Sequence, residues 1–191
     1  DKTQTQMDPN KVTSDFDESA LEQNTGKPRY PHWNGGFGFN ANWRGISLQA
    51  DFAFVLDKWM IANESLFTKN PIWFFGQNTE KEAMNYWKKE GDIASYPSID
   101  YQNQEMAHHF DTSLLSDASF LRLKNLTVGY EFQKSLLSRQ SVLTGLKIYG
   151  TARNILTFTK FEGIDPEVNS NLSFHVNPNT KQFVVGIEAS F

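Results

Sequence analysis

The side chains best suited to recognise a solute lie in a polar stretch of about sixty residues, 58–118, that has no regular apolar spacing. Aromatic rings in this stretch offer flat apolar faces that stack on sugars or contact another protein. Packing of the stretch against itself is the alternative. The candidates for contact with a substrate or with a partner protein are Trp73, Phe74, Phe75, Tyr86 and Trp87.

Titratable residues point less clearly to a chemistry. His108 and His109 are adjacent, so on a strand they would face opposite sides, and joint ligation of one metal is awkward. Asp165 and Glu167 have the look of a glycosidase carboxylate pair, with a turn around Pro166 as the alternative. Solvation competes with cation or sugar binding at four scattered carboxylates, Asp92, Asp100, Asp111 and Asp117.

No pattern in the sequence predicts an enzyme. Ser/His/Asp spacing, a phosphate-cradling glycine loop and a metal-ligand signature are all missing. We therefore expect no catalytic residues, no bound metal and no cofactor.

Composition excludes several classes of protein. The 18 Lys and Arg against 22 Asp and Glu give a net charge of −4, which leaves no basic surplus for nucleic acid. Apolar runs reach about five residues, far below the roughly 18 of a membrane-spanning helix. Cysteine is absent, which removes thiol chemistry and disulfides. The first residues carry no signal-peptide pattern, so we expect either a cytosolic chain or a piece of a longer one.

Strict alternation of apolar and polar residues predicts five long strands. The run 33–43 places large apolar residues such as Phe37 and Phe39 on one face and small polar residues on the other. A two-residue turn at 44–45 follows, where glycine supplies the positive φ of a tight hairpin. The other expected strands cover 46–56, about 119–132, 146–158 and 183–191.

Two local features interrupt this pattern. Leu121 and Leu123 lie in the opposite phase from Leu126, which indicates either a bulge near 124–125 or leucines that point into the interior. Within the long connection, 79–90 has helical spacing with a capping box at its start, so we expect one short helix there.

Two architectures accommodate five such strands. A soluble β-sandwich, for example a carbohydrate-binding module, would bury the apolar face. A transmembrane barrel fits the strand length of roughly ten to fourteen residues and the alternation of short and long connections. Trp33 and Trp43 are ten residues apart, which projects to roughly 25 Å along a tilted strand, the height of a lipid-facing band. With Tyr130 they are expected to form an aromatic girdle.

Several runs together carry a family resemblance. They are SFLRLKNLTVGY at 119–130, ARNILTFTK at 152–160, GIDPEV at 163–168 and the closing strand 183–191, with WNGGF at 33–37 upstream. The combination resembles the SusC/RagA type of TonB-dependent outer-membrane transporters.

This resemblance implies an all-β fold: about five strands, in the C-terminal portion of an antiparallel transmembrane barrel of about 22 strands. It implies that 1–32 and 58–118 are extracellular loops, that 33–191 carries the strands, and that the plug domain is absent from this chain. It further implies a multi-pass barrel in a Gram-negative outer membrane of the Bacteroidota kind, importing glycans or peptides. The implied partners are a SusD-like surface lipoprotein, TonB through the missing N-terminal part, outer-membrane lipids and the barrel assembly machinery.

Two further groups of residues gain roles from the resemblance. The signal read by the barrel assembly machinery corresponds to Phe183, Val185, Ile187 and Phe191, with simple contact to lipid as the alternative. Basic residues on the strands would line the lumen and favour anionic or polar solutes, or pair with acidic neighbours there: Arg122, Lys124, Lys147 and Arg153.

Overall fold

Two compact units make up the chain. The structure is a computed structural model that describes residues 25–69, 78–96, 98–99, 112–133, 142–170, 172–173 and 177–191. The first unit, which we call the sheet unit, comprises 31–57, 118–160 and 177–191. The second, which we call the loop unit, comprises 1–30, 58–117 and 161–176.

Strands dominate the described residues. They are β1 Trp33–Trp43, β2 Ile46–Leu56, β3 Trp59–Ala62, β4 Leu115–Asp117, β5 Phe120–Glu131, β6 Gly145–Thr159, β7 Leu172–Ser173 and β8 Gln182–Ser190. Helix is limited, in this part of the chain, to α1 Asn63–Thr68 and two 3-10 turns, Lys81–Met84 and Thr112–Leu114. The expected all-β class, with mostly antiparallel pairing, is confirmed.

The sheet unit is one five-stranded antiparallel sheet in the order β1-β2-β5-β6-β8. β1 and β2 pair without interruption from Trp33 opposite Leu56 to Trp43 opposite Ile46. Both turn residues, Arg44 at φ 47° and Gly45 at φ 88°, have positive φ. A two-residue turn of this kind twists in the same sense as its strands, but it requires positive φ. Glycine is favoured there because it adopts positive φ without steric cost.

A register shift in the middle of the sheet explains the phase change in β5. Phe52 pairs with Leu123, but Asp51 pairs with Asn125, so Lys124 is the extra residue. On the β6 side, residues 154–155 lie opposite the same point, and Asn154 has a φ of 53°. The bulge therefore returns Leu121 and Leu123 to the face that carries Leu126, so of the two alternatives the bulge is correct.

The loop unit has its own small sheet and core, which the sequence patterns did not predict. β3 lies between β4, antiparallel to it, and β7, parallel to it. α1 follows β3 directly, and Met60, Ala62 and Leu66 are almost fully buried. These buried side chains form a small hydrophobic core within residues that the sequence pattern presents as one long connection.

The helix expected over 79–90 is wrong. The structure has a single 3-10 turn at Lys81–Met84, and its N-cap residue, Glu80, makes no side-chain capping hydrogen bond. Beyond it the backbone turns back on itself: the Asn85 carbonyl accepts the Ser95 and Tyr96 amides, and the Trp87 amide donates to the Tyr96 carbonyl. These hydrogen bonds between two segments of the same chain replace the i to i−4 bonds that a helix would need.

Candidate functional site

One face of the five-stranded sheet, which we call the apolar face, presents a continuous surface of aromatic and aliphatic side chains. The register aligns Phe37 with Phe52 and Phe39 with Ala50, and the Phe37 and Phe52 rings stack with centroids 5.0 Å apart. Phe37 keeps 54% of its surface exposed, so this is not the sealed inner face of a sandwich. Other strongly exposed members of the face are Phe39, Phe158, Phe183, Val185 and Ile187.

The three residues expected to form an aromatic girdle lie at the ends of this face. Trp33 begins β1 and Trp43 ends it, and their exposed fractions are 70% and 66%. Tyr130 pairs with Ile46, the partner of Trp43, so Tyr130 and Trp43 share one end of the sheet. Their positions suit a girdle, and the role itself stays a prediction.

The opposite face, which we call the polar face, holds a hydrogen-bonded network. Asp51 Oδ2 accepts Gln49 Nε2 at 3.0 Å and Asn125 Nδ2 at 3.2 Å. A side chain at Gly38, which lies opposite Asp51, would place its Cβ 2.6 Å from Asp51 Oδ1. Small residues on β1 therefore leave room for the polar side chains of β2.

Two basic residues of the sheet have polar neighbours on the polar face. Arg122 is 4% exposed, and its Nε donates to Thr157 Oγ1 at 2.9 Å. Lys147 pairs in register with Glu131 on one side and Glu188 on the other. These surroundings fit pairing within the polar face better than contact with a solute.

The residues expected to carry an assembly signal lie at one edge of the sheet. Phe183, Val185 and Ile187 are on β8, whose described partner is β6 alone, and all three are more than two thirds exposed. Phe191 follows the strand and is 81% exposed. Their recognition by the assembly machinery stays a prediction.

Two of the five loop aromatics fall within the described residues. Tyr86 forms a bridge with Tyr96, and Lys88 Nζ lies 5.1 Å from the centre of the Tyr86 ring. Trp87 is 39% exposed, and Ile93 in the same segment is 85% exposed. Trp87 is thus the candidate with an accessible ring, whereas Trp73, Phe74 and Phe75 lie outside the described residues.

Asp92 shapes the backbone of this segment. Its Oδ2 accepts the Lys88 amide at 3.3 Å and the Lys89 amide at 3.2 Å, closing a turn that includes Gly91 at φ 89°. This use of the carboxylate argues against a cation site. Four other candidates, Asp100, Asp111, His108 and His109, lie outside the described residues, and Asp117 ends β4.

Asp165 and Glu167 form part of a turn that is held by Lys58. Asp165 is 4% exposed, and its Oδ1 accepts the Glu167 amide at 2.9 Å. Lys58 Nζ donates to the carbonyls of Pro166 at 2.7 Å and Val168 at 2.6 Å. Burial lowers the pKa of Lys58, although Glu167 and Asp165 oppose that shift. The turn alternative for this carboxylate pair is therefore the better explanation.

Lys69 joins two segments of the loop unit. Its Nζ lies 2.9 Å from Glu82 Oε2 and 3.5 Å from Glu162 Oε2. The hydrogen bond with Glu82 raises the pKa of Lys69, burial opposes this, and the charge of Glu162 adds to the increase. The lysine therefore stays charged at neutral pH and ties the 3-10 turn to the segment around Glu162.

The described part of the chain shows no group of three His, Asp or Glu residues placed to hold a metal ion. Within the same residues, no helix is both long and apolar enough to cross a membrane.

Comparison with known proteins identifies relatives of this chain. No protein-family model matches the sequence. Two curated relatives are TonB-dependent receptor P39 of Formosa agariphila, 25% identical over 165 residues, and TonB-dependent receptor SusC of Bacteroides thetaiotaomicron, 26% identical over 167 residues. These alignments cover 81% and 87% of this chain.

Solved structures agree. The RagAB peptide importer in its closed-closed state matches with a TM-score of 0.76 and 41% identity over 86% of this chain, and its open-open state matches with a TM-score of 0.74 and 41% identity. The chain belongs to the SusC/RagA type of TonB-dependent receptors. The SusC/RagA-type resemblance of the sequence is thereby confirmed.

This SusC/RagA-type chain is a partial one. It spans 14% of the length of P39 and of SusC, and 18% of the matched RagAB chain. All of these relatives are named as receptors or importers, which is consistent with the expectation that the chain is not an enzyme.

Sequence reasoning missed the two lysines that organise the loops of this SusC/RagA-type segment. Lys58 and Lys69 each stand alone in a polar stretch, and neither belongs to a motif. Their partners are 108 to 110 residues away for Lys58, and as far as Glu162 for Lys69. Only the three-dimensional arrangement identifies them as positioning residues.

Proposed function

We propose that this chain forms part of the wall and the outer loops of an outer-membrane transporter that imports nutrients with energy supplied through TonB. One observation carries the proposal: a single sheet combines an exposed apolar face with a hydrogen-bonded polar face. In water the apolar face would be a large unprotected patch, whereas hydrocarbon covers it without cost. The polar face, with the Asp51 network, suits a hydrated lumen.

The open edges of the sheet support a larger barrel. β1 and β8 are its edge strands, and each presents a row of backbone groups without a partner in this sheet. Unpaired backbone groups cost several kcal/mol each in hydrocarbon, so a spanning sheet must close. We therefore propose that the remaining strands of a barrel of about 22 complete the wall. Residues 1–32 and 58–118 are then extracellular.

Peptides are the cargo we favour. The matched RagAB structures are named a peptide importer and share 41% identity with this chain, against 26% for SusC. A glycan cargo, as we expected from the sequence, is the second candidate, and it would suit the exposed ring of Trp87.

The partners follow from the same orientation. A SusD-like surface lipoprotein would cover the outer loops, where Trp87 would contact either this lipoprotein or the cargo. TonB would act through the N-terminal part of the receptor. The assembly machinery would read β8 together with Phe183, Val185, Ile187 and Phe191.

Membrane integration gives the first test. The complete receptor that contains this chain is expected to leave cell envelopes only with detergent. It is also expected to migrate faster on gels before heating than after, because a closed barrel resists unfolding by the gel detergent. Release into buffer as a monomer, with no change of migration on heating, would refute the proposal.

Trp87 gives the second test. Trp87→Ala in the complete receptor is expected to lower uptake of labelled oligopeptides several-fold while the amount of folded receptor stays constant, because a stacking surface is lost. Ile93→Ala is the matched control, since Ile93 is an exposed apolar residue of the same segment. Equal uptake by wild type and Trp87→Ala would remove Trp87 from the contact surface. Preference for labelled oligosaccharides would replace the peptide assignment with a glycan.

A further inference from the structure

A groove of about 480 Å³ runs across the apolar face above the middle of β6. Its floor is Gly150, which lies between Val128 of β5 and Val185 of β8 in the register. The neighbouring row, closer to the β1–β2 turn, contributes Ile46, Tyr130 and Ile148. The groove is therefore an open apolar depression bounded by two neighbouring register rows of the apolar face.

The protein itself does not require glycine at this position. A Cβ added to Gly150 would meet only the Val184 carbonyl oxygen, at 4.0 Å, and the residue has no positive φ. By contrast, a Cβ at Gly45 would fall 2.6 Å from the Glu131 carbonyl oxygen. The space over Gly150 is thus accessible from the environment that surrounds the apolar face, and an apolar chain of another molecule fits there.

A cationic group stands at the end of the sheet nearest the groove. The Arg44 guanidinium carbon lies 5.1 Å from the centre of the Trp43 ring, and Trp43 belongs to the apolar face. Arg44 is therefore on the same side of the sheet as the groove. Leu48, which lies in the same register row as Gly150, is four residues after Arg44. The row of Gly150 is therefore about 13 Å from Arg44 along the strand. Glu131 and Glu188 alternate onto the polar face, away from this guanidinium.

We propose that the groove binds one acyl chain of a phospholipid whose phosphate is held by Arg44. Apolar walls match the acyl chain, and the guanidinium matches the phosphate, to which it can donate two parallel hydrogen bonds. The groove is continuous with the face that we propose to contact hydrocarbon. The inference rests on that proposed function, and it adds one defined lipid site to a surface that otherwise contacts lipid without preference.

The test compares lipid retention by receptor variants. The complete receptor is purified in detergent, incubated with 1-palmitoyl-2-oleoylphosphatidylethanolamine and examined by native mass spectrometry. We expect wild type to retain one phospholipid that Gly150→Leu loses, with occupancy at least tenfold lower, because leucine fills the groove. Ala41→Leu is the matched control: Ala41 lies in the same register row, on β1 and outside the groove, and should retain the lipid. Equal retention by Gly150→Leu and wild type, or equal loss in Ala41→Leu, would overturn the site.

A second variant tests the headgroup and leaves the groove intact. Arg44→Gln is expected to lower retention of the phospholipid while leaving unchanged the weak retention of dioleoylglycerol, which lacks phosphate. Unchanged phospholipid retention would overturn the role of Arg44, and this variant decides the question if Gly150→Leu fails to fold. Failure of the wider proposal is recognised separately, because a receptor outside the membrane would show no heat-dependent migration in wild type.

Discussion

Arginine in place of Phe39 is expected to prevent the complete receptor from accumulating as a folded barrel. Phe39 lies near the middle of β1 on the apolar face and is 48% exposed. In the proposed orientation this position meets the centre of the bilayer, where a lipid-facing arginine costs about 2–4 kcal/mol. The measurement is the fraction of receptor in outer-membrane preparations that shows heat-dependent migration, compared with wild type.

Asn40→Arg is the matched control for this experiment. Asn40 is the next residue of the same strand, at nearly the same depth, but it alternates onto the polar face opposite Gln49. An arginine there would remain in contact with water, so folding close to the wild-type level is expected. Equal loss in both variants, or normal folding of Phe39→Arg, would contradict the assignment of the two faces.

The faces of the sheet were predictable because they depend on a local rule. Alternation with a period of two residues fixes which side chains share a face, and it correctly separates Phe37 and Phe39 from Asn40. The bulge was predictable as one of two alternatives, since a phase change between Leu123 and Leu126 has few causes. The strand number of the proposed barrel was not, because no pattern within five strands determines how many others pair with them.

The loop unit shows where such reasoning stops. β3 contains the buried Met60 and Ala62, but it is only four residues long and pairs with β4 and β7, more than fifty residues away in sequence. A strand that short has no periodicity to detect. In the same way, 79–90 has helical spacing, yet its backbone pairs with Ser95 and Tyr96. Tertiary pairing overrides local propensity in both cases.

Candidate chemistry was hardest to predict, because the same carboxylate can bind a solute or a backbone amide. Asp92 and Asp165 both accept backbone amides within their own turns. The groove over Gly150 had no signal at all, since a glycine on an alternating strand does not reveal whether its neighbours close over it. The aromatic residues were the better guide, because apolar rings need a cover and their exposure indicates where that cover must be.

Alanine in place of Gly45 is expected to destabilise the β1–β2 hairpin more than a single methyl group normally would. Gly45 has a φ of 88°, and its carbonyl accepts the Glu131 amide at 2.8 Å. An added Cβ would lie 2.6 Å from the Glu131 carbonyl oxygen, which belongs to a paired strand and cannot move aside freely. Backbone strain of about 1–2 kcal/mol and a collision of about 1–3 kcal/mol should combine in the free energy of unfolding, measured by urea titration of the receptor in detergent.

Gly91→Ala separates the two contributions. Gly91 has nearly the same φ, 89°, but an added Cβ would meet no atom within 4 Å. This variant should therefore show the backbone strain alone, at most about 1–2 kcal/mol. Because the two glycines differ in the Glu131 contact and hardly in φ, a larger loss for Gly45→Ala measures how rigidly β5 holds the hairpin turn. Equal losses would mean that β5 yields at Glu131 and does not hold the turn rigidly.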